Sequence, residues 1–231
     1  MKTLLSIDTN AKTVKGQKKG YLTGILYLAP SNESGTINTC PHASKGCRIA
    51  CLYTAGRGSF QNVKDARVKK TRFFHDDRES FMNQLVKDVE GLKKKASKKG
   101  LTPCVRLNGT SDIKWHKIPV RNANNIFELF PEISFYDYTK DFSKLVELKE
   151  EPIQNYSITF SRSESNQEKA LLALEMGYNV ASVFRVLPPE SFGVPVVNGD
   201  ESDLRFLDPK GVVVGLKAKG KAKADKSGFV L

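Results

Sequence analysis

Short apolar runs alternate with amphipathic stretches through most of this 231-residue chain, and that alternation restricts the fold more than any other feature. YLTGILYLAP, residues 21–30, ends at a proline and reads as a buried strand. A helical region over 63–99 follows, in which Phe81, Leu85, Val89 and Leu92 recur on one face among charged neighbours. PCVRLN (103–108) reads as a second strand before the polar turn GTSD, NANNIFELF (122–130) as a short helix, and EISFYDYTK (132–140) as a third strand. The pattern continues with a helix over 142–148, a strand in NYSITFSRS, a helix in NQEKALLALEMG ended by Gly177, and strands in YNVASVFRV and GVVVGLKAKG. Strands separated by helices imply a mostly parallel sheet with right-handed crossovers, either doubly wound or curled toward a barrel. Repeated strand endings favour the barrel. The expected fold is α/β, a partial parallel (β/α) barrel of about six core strands. One domain covers residues 1–231, with 187–209 as an inserted loop or hairpin.

Side chains just past the carboxyl ends of parallel strands gather at one mouth. Read in chain order, those positions hold a cysteine loop, then Asn108, Ser111 and Asp112, then Asp137, Tyr138 and Lys140. Ser161 and Arg162, Arg185, and finally Lys217 and Lys219 complete the series. Apolar strands that end repeatedly in charged or amide groups point to a shared pocket. Because side chains alternate along a strand, Asp137 faces away from Tyr136 and Tyr138.

The cysteine loop, CPHASKGCRIACLYTAGRG, carries three of the chain's four cysteines, Cys40, Cys47 and Cys51, separated by six and then three residues. That uneven grouping suits metal or cluster ligation better than a disulfide framework. Three thiolates on a cubane iron-sulfur cluster leave the fourth iron open to an outside ligand. Gly46 and Gly56 would let the backbone turn around it. Zinc is the alternative, with Cys104 or His42 completing a tetrahedral set, and a third reading has no metal at all. Cys104, near the start of the second strand, is expected to be a core thiol.

A formal charge of +12 and a pI near 9.5 favour a polyanionic partner, although LKKKASKKG (92–100) reads as the solvated end of a helix. No run is long enough to cross a bilayer and the first 24 residues lack a signal-peptide core, so a cytoplasmic protein with no membrane partner is expected. His42, His75 and His116 are too scattered to form a trio, and Trp115 after the NGTSD turn reads as packing.

The cysteine loop, RLNGTSD, FYDYTK, TFSRSE and the terminal GLKAKGKAKADKSGFV together resemble the phage gene product 88 domain family across nearly the whole chain. Their arrangement in turn is similar to the radical S-adenosylmethionine superfamily: a cysteine loop after the first strand, then polar residues on successive strand ends. The spacing differs from that superfamily's usual three and two, and GTSD stands where a glycine-glycine-glutamate stretch is usual. The resemblance implies a 4Fe-4S cluster on Cys40, Cys47 and Cys51, S-adenosylmethionine as small-molecule cofactor, an electron donor, and reductive cleavage of the sulfonium bond. It also implies a host cytoplasmic location. Asp112 would accept the cofactor's amino group or else cap the next helix, with Asn108 and Ser111 beside it. Tyr138 would stack on a base or join the core. Lys140, Ser161, Arg162, Arg185, Lys217 and Lys219 would join Asn108, Ser111, Asp112 and Tyr138 as cofactor-binding residues. Arg106, Arg162, Arg185, Lys217 and Lys219 would hold carboxylate or phosphate, and the substrate would be a nucleotide, nucleic acid or protein. The competing reading is a noncatalytic, zinc-stabilised nucleic-acid-binding protein.

Overall fold

The computed structural model describes residues 3–8 and 11–231. Of the amino-terminal stretch read for targeting, residues 1, 2, 9 and 10 lie outside the described residues. The elements in order are β1 (Leu5–Ile7), α1 (Ala11–Gln17), β2 (Tyr21–Leu26), α2 (Lys45–Ile49), α3 (Gln61–Asp76) and α4 (Arg78–Lys98). Then come β3 (Thr102–Arg106), α5 (Ile126–Leu129), β4 (Ser134–Thr139), α6 (Phe142–Glu150), β5 (Tyr156–Ser161) and α7 (Gln167–Glu175). The chain closes with β6 (Asn179–Phe184), β7 (Glu190–Ser191), β8 (Val194–Asn198) and β9 (Val213–Lys217).

The strands form one nine-stranded sheet of order β1-β2-β3-β4-β5-β6-β9-β8-β7. From β2 through β9 and on to β8 every neighbour is parallel; β1 adds antiparallel on one edge and β7 pairs antiparallel with β8 at the other. The sheet is mixed and mostly parallel, and it does not close, because β1 and β7 are its two ends. The six strands read from sequence are its centre. The segment 187–209 contributes the β7–β8 hairpin, which extends the sheet, and β1 was too short to read as a strand.

Strand order without reversal decides how the layers stack. Leu22, Val105, Phe135, Phe160 and Val180 point to the face that carries the helices, in one apolar cluster with Phe81, Leu85, Val89 and Leu92 of α4 and Ala170 and Ala173 of α7. A doubly wound sheet would split these helices between two faces. Close approach is built in at Gly24, where a Cβ would meet Leu92 Cδ2 at 3.0 Å and Leu5 Cδ1 at 3.1 Å.

The opposite face is covered by the stretch after β8. Leu204 packs on Cys104 and Tyr136, and Phe206 sets its ring 5.1 Å from Tyr21 and 5.7 Å from Tyr136. Asp203 Oδ2 takes Arg106 Nη1 at 3.0 Å and Tyr136 Oη at 3.3 Å, so Arg106 is ion-paired inside the fold.

Two element boundaries differ from the periodic reading. The helical region over 63–99 is two helices, since Asp77 has φ −144° and its carboxylate accepts from Ser80 N, capping α4. The helix read in NANNIFELF is confined to Ile126–Leu129, begun by the Asn125 cap on Glu128 N. Gly177, at φ +88°, does end the helical segment of α7. No helix among the described residues is long and apolar enough to cross a membrane.

Candidate functional site

The chain leaves β2 at one end of the sheet and forms the cysteine loop, whose local structure is set by small caps. Ser44 caps α2 by accepting from Cys47 N, and Cys51 Sγ accepts from Tyr53 N at the start of a 3-10 turn. Glu164, just past β5, clamps this helix from across the mouth: its carboxylate accepts from Ser44 Oγ and Gly46 N, both at 2.7 Å. Burial alone would raise that carboxyl; these two donors hold it below its ordinary range. Gly46 cannot carry a side chain, because a Cβ there would sit 2.4 Å from Ser227 Oγ and 2.7 Å from Phe229 Cβ.

The three loop thiols are free and half-buried. Cys40 Sγ approaches Thr110 O at 3.6 Å and feels the charge of Asp112 and Cys51. Cys51 in turn lies within electrostatic reach of Cys47, Arg67 and Lys140, and Cys47 packs against Ala50, Ala222, Phe229 and Val230. Burial pushes the Cys40 thiol up to about 11 and raises Cys51 as well. Ligation needs the thiolate, so metal capture here is coupled to proton release. Among the described residues, no three His, Cys, Asp or Glu side chains converge as the ligands of a single ion. Cys104 stands apart, on the opposite sheet face with its Sγ 3.3 Å from Thr23 Oγ1, and burial raises it to about 12.

Asp112 ties the ends of β3 and β4 together. Its Oδ1 accepts from Thr139 Oγ1 at 2.6 Å and from Lys144 Nζ at 3.2 Å, and its Oδ2 accepts from Lys140 N at 2.7 Å. It caps no helix; Lys114 stands at the start of the next 3-10 turn. Asn108 shapes the loop that carries Asp112, its Oδ1 accepting from Ser111 Oγ, Ile113 N and Trp115 Nε1. Trp115 is fully buried among Phe74 and Phe81. Asp137, on the helix face as alternation requires, accepts from Asn108 N and Tyr156 Oη, and burial raises it to about 6.

Other strand-end residues are distributed as follows. Lys140 Nζ donates to Ser161 Oγ at 2.7 Å, lies 5.6 Å from the Phe229 ring and is within electrostatic reach of Cys51. Tyr138 carries the Arg106 guanidinium 4.7 Å above its ring. Arg162 Nη1 donates to the carbonyls of Gly228 and Phe229, and Arg185 to those of Lys223 and Asp225. Both arginines therefore fasten the terminal segment across the mouth. Lys217 and Lys219 are exposed; the Lys217 backbone N donates to Asp200 Oδ2 and Lys219 Nζ to Asp200 Oδ1. His42 contacts Asp141 at 3.5 Å, away from the thiols' own hydrogen bonds.

A full-length comparison bears on all of this: the family model for gene product 88 matches residues 3–231. The chain belongs to the gene product 88 family. No curated protein and no solved structure matches the chain.

Within this family member, Arg67 is the site residue that sequence reading missed. It is 8% exposed, its Nε and Nη1 have no hydrogen-bond partner, and its guanidinium lies 4.9 Å from the Tyr27 ring and 5.5 Å from the Tyr53 ring. A buried cation costs several kcal/mol. Two desolvated ring faces, worth on the order of 2 kcal/mol each, offset much of that cost without supplying a counter-charge. The available signal was its spacing with Thr71 and Phe74 on the buried face of α3. Glu164 was legible only as part of TFSRSE.

Proposed function

We propose that this gene product 88 protein is an iron-sulfur enzyme of radical S-adenosylmethionine type, built on a partial parallel barrel. The observation that carries this reading is a single loop at the carboxyl ends of a singly wound parallel sheet that carries three free, half-buried thiols, with Cys51 in electrostatic reach of Cys47, Lys140 and the unpaired Arg67 guanidinium and Cys40 in reach of Asp112. The donor chemistry supports a cluster over zinc: three soft sulfur donors on one loop can each take a separate iron, whereas one zinc ion draws its ligands to a point. Cys40, Cys47 and Cys51 would hold the 4Fe-4S cluster, whose chemistry when bound is to pass an electron to S-adenosylmethionine. Lys140, held by Ser161, supplies a cation within electrostatic reach of Cys51, and Asp112 ties the β3 and β4 ends together. Glu164 and the terminal segment brace the loop against the mouth. The test is to reduce anaerobically purified protein with dithionite in the presence of S-adenosylmethionine. Methionine and 5'-deoxyadenosine in equal amounts, with neither formed without reductant, are expected; unchanged cofactor over a fully reduced cluster would overturn the enzyme reading.

The rim of the mouth supports a phosphate-rich substrate. The packing of Ala50 against Ala222 and Phe229 brings α2 beside the 3-10 turn Gly220–Ala224. Exposed Lys45, Arg48, Arg57, Lys221, Lys223 and Lys226 surround this contact, with no ion pair to any of them among the described residues. Binding of single-stranded DNA is expected to weaken with salt with a log–log slope of about −4 if all six contact phosphate. Lys221→Glu with Lys223→Glu should flatten that slope by more than 1. A slope near zero in fluorescence anisotropy would remove nucleic acid as the substrate class.

A further inference from the structure

Arg67 lies on α3 beside the cysteine loop, its guanidinium 5.5 Å from the ring of Tyr53, whose backbone N donates to Cys51 Sγ, and yet it stands outside every hydrogen bond described for that loop. Its Nε and Nη1 are buried and without partners, and no carboxylate pairs with it among the described residues. The acidic groups within its electrostatic reach are the Cys51 thiol and the phenols of Tyr27 and Tyr53. Gly58 lets the loop backbone lie directly on the guanidinium: a Cβ there would come within 2.6 Å of Leu52 O and 3.4 Å of Arg67 Nη2. The helix is anchored at this point, since Thr71 Oγ1 accepts from Ala29 N just beyond β2 and donates to Arg67 O. A fixed cation within electrostatic reach of Cys51, with Nε and Nη1 unused, is suited to meet an anion held by the loop thiols.

We infer that Arg67 is the counter-charge for the anionic assembly held by Cys40, Cys47 and Cys51, and that it raises the reduction potential of that assembly. The inference rests on the cluster reading of the three thiols. Three thiolates on a cubane make a net anion, and one electron from a reductant adds one more negative charge with no bond made or broken. A neighbouring fixed positive charge stabilises the reduced form more than the oxidised form, and net charge and hydrogen bonds to sulfur are the levers that set such potentials. Arg67 acts through the cluster and so is a positioning residue.

The experiment compares wild type, Arg67→Met and Arg67→Lys after anaerobic reconstitution. Iron and sulfide are measured first, then the reduced fraction by EPR during a dithionite titration at fixed pH. At the wild-type midpoint, Arg67→Met is expected to have a reduced-to-oxidised ratio at least tenfold lower, a shift of about 59 mV for a one-electron couple. Arg67→Lys, which keeps the charge, should stay within about threefold. Loss of iron from a folded Arg67→Met protein with retention in Arg67→Lys also supports the assignment, because it shows that the anion needs the charge. A fully loaded Arg67→Met protein with the wild-type midpoint overturns it, as does unfolding of both variants by circular dichroism, which would make Arg67 a structural strut. Wild-type protein that takes up no iron overturns the cluster reading itself, before any Arg67 variant is compared.

Discussion

Replacing Cys40, Cys47 or Cys51 with alanine is expected to remove iron and sulfide together, while Cys104→Ala leaves both at the wild-type level. The contrast follows from geometry. The three loop thiols lie on one loop at one end of the sheet, with Cys51 in electrostatic reach of Cys47 and Cys40 in reach of Cys51. Cys104 lies on the other face, bonded to Thr23 and packed under Leu204 and Tyr136. Wild type should carry about four irons and four sulfides per chain, the content of one cubane. A cubane missing one of its three protein ligands loses an anchored iron, so each single change should bring the content close to zero. Cys104→Ala removes only a small buried atom, at a cost below about 2 kcal/mol in stability. Elemental analysis with a sulfide assay on anaerobically purified protein decides the matter. Stoichiometric zinc in place of iron, or no metal after reconstitution, would end the radical mechanism and bring the zinc-stabilised binding protein forward.

The second large effect is on stability. Asp112→Ala should lower the unfolding free energy by about 3–5 kcal/mol, because it removes the ion-pair partner of a buried lysine that Asp137 reaches only at electrostatic range. Lys144 is 0% exposed, and its Nζ would be left with the Ile113 carbonyl at 3.0 Å as its remaining partner. Thr139 Oγ1 and Lys140 N would lose their acceptor at the same time. Removing both charges, Asp112→Asn with Lys144→Met, should recover a large part of the loss, since a buried pair is more costly to break than to replace. Urea midpoints of the two single variants and the double variant test this. A loss below about 1 kcal/mol for Asp112→Ala would show that water reaches Lys144 and that the clamp is not closed.

Much of the fold was legible because it depends on short-range chemistry. The apolar face of α4 was readable from Phe81, Leu85, Val89 and Leu92, all 0% exposed in the folded chain. The break at Asp77 was harder, since helical periodicity runs through it and the decisive signal is one carboxylate capping Ser80 N. The structure puts the strand-end residues where the strand boundaries imply, and several of them are bonded within the chain. Arg162 and Arg185 look in sequence like ligands for an anion. They donate instead to backbone carbonyls of the terminal segment, a pairing created by the segment's path across the mouth.

The order of strands and helices, the loop that carries three thiols and the row of polar strand ends follow from hydrophobic period and residue spacing, which act over a few residues and need no knowledge of the rest of the chain. Tertiary structure alone decided which charges are spent and which remain. Asp112 is committed to Lys144 and Arg106 to Asp203, whereas Arg67 is buried between two tyrosines without an acidic partner. The reason is that a side chain's pairing and its solvent exposure depend on segments far away in sequence, and the energy of a buried charge depends on both.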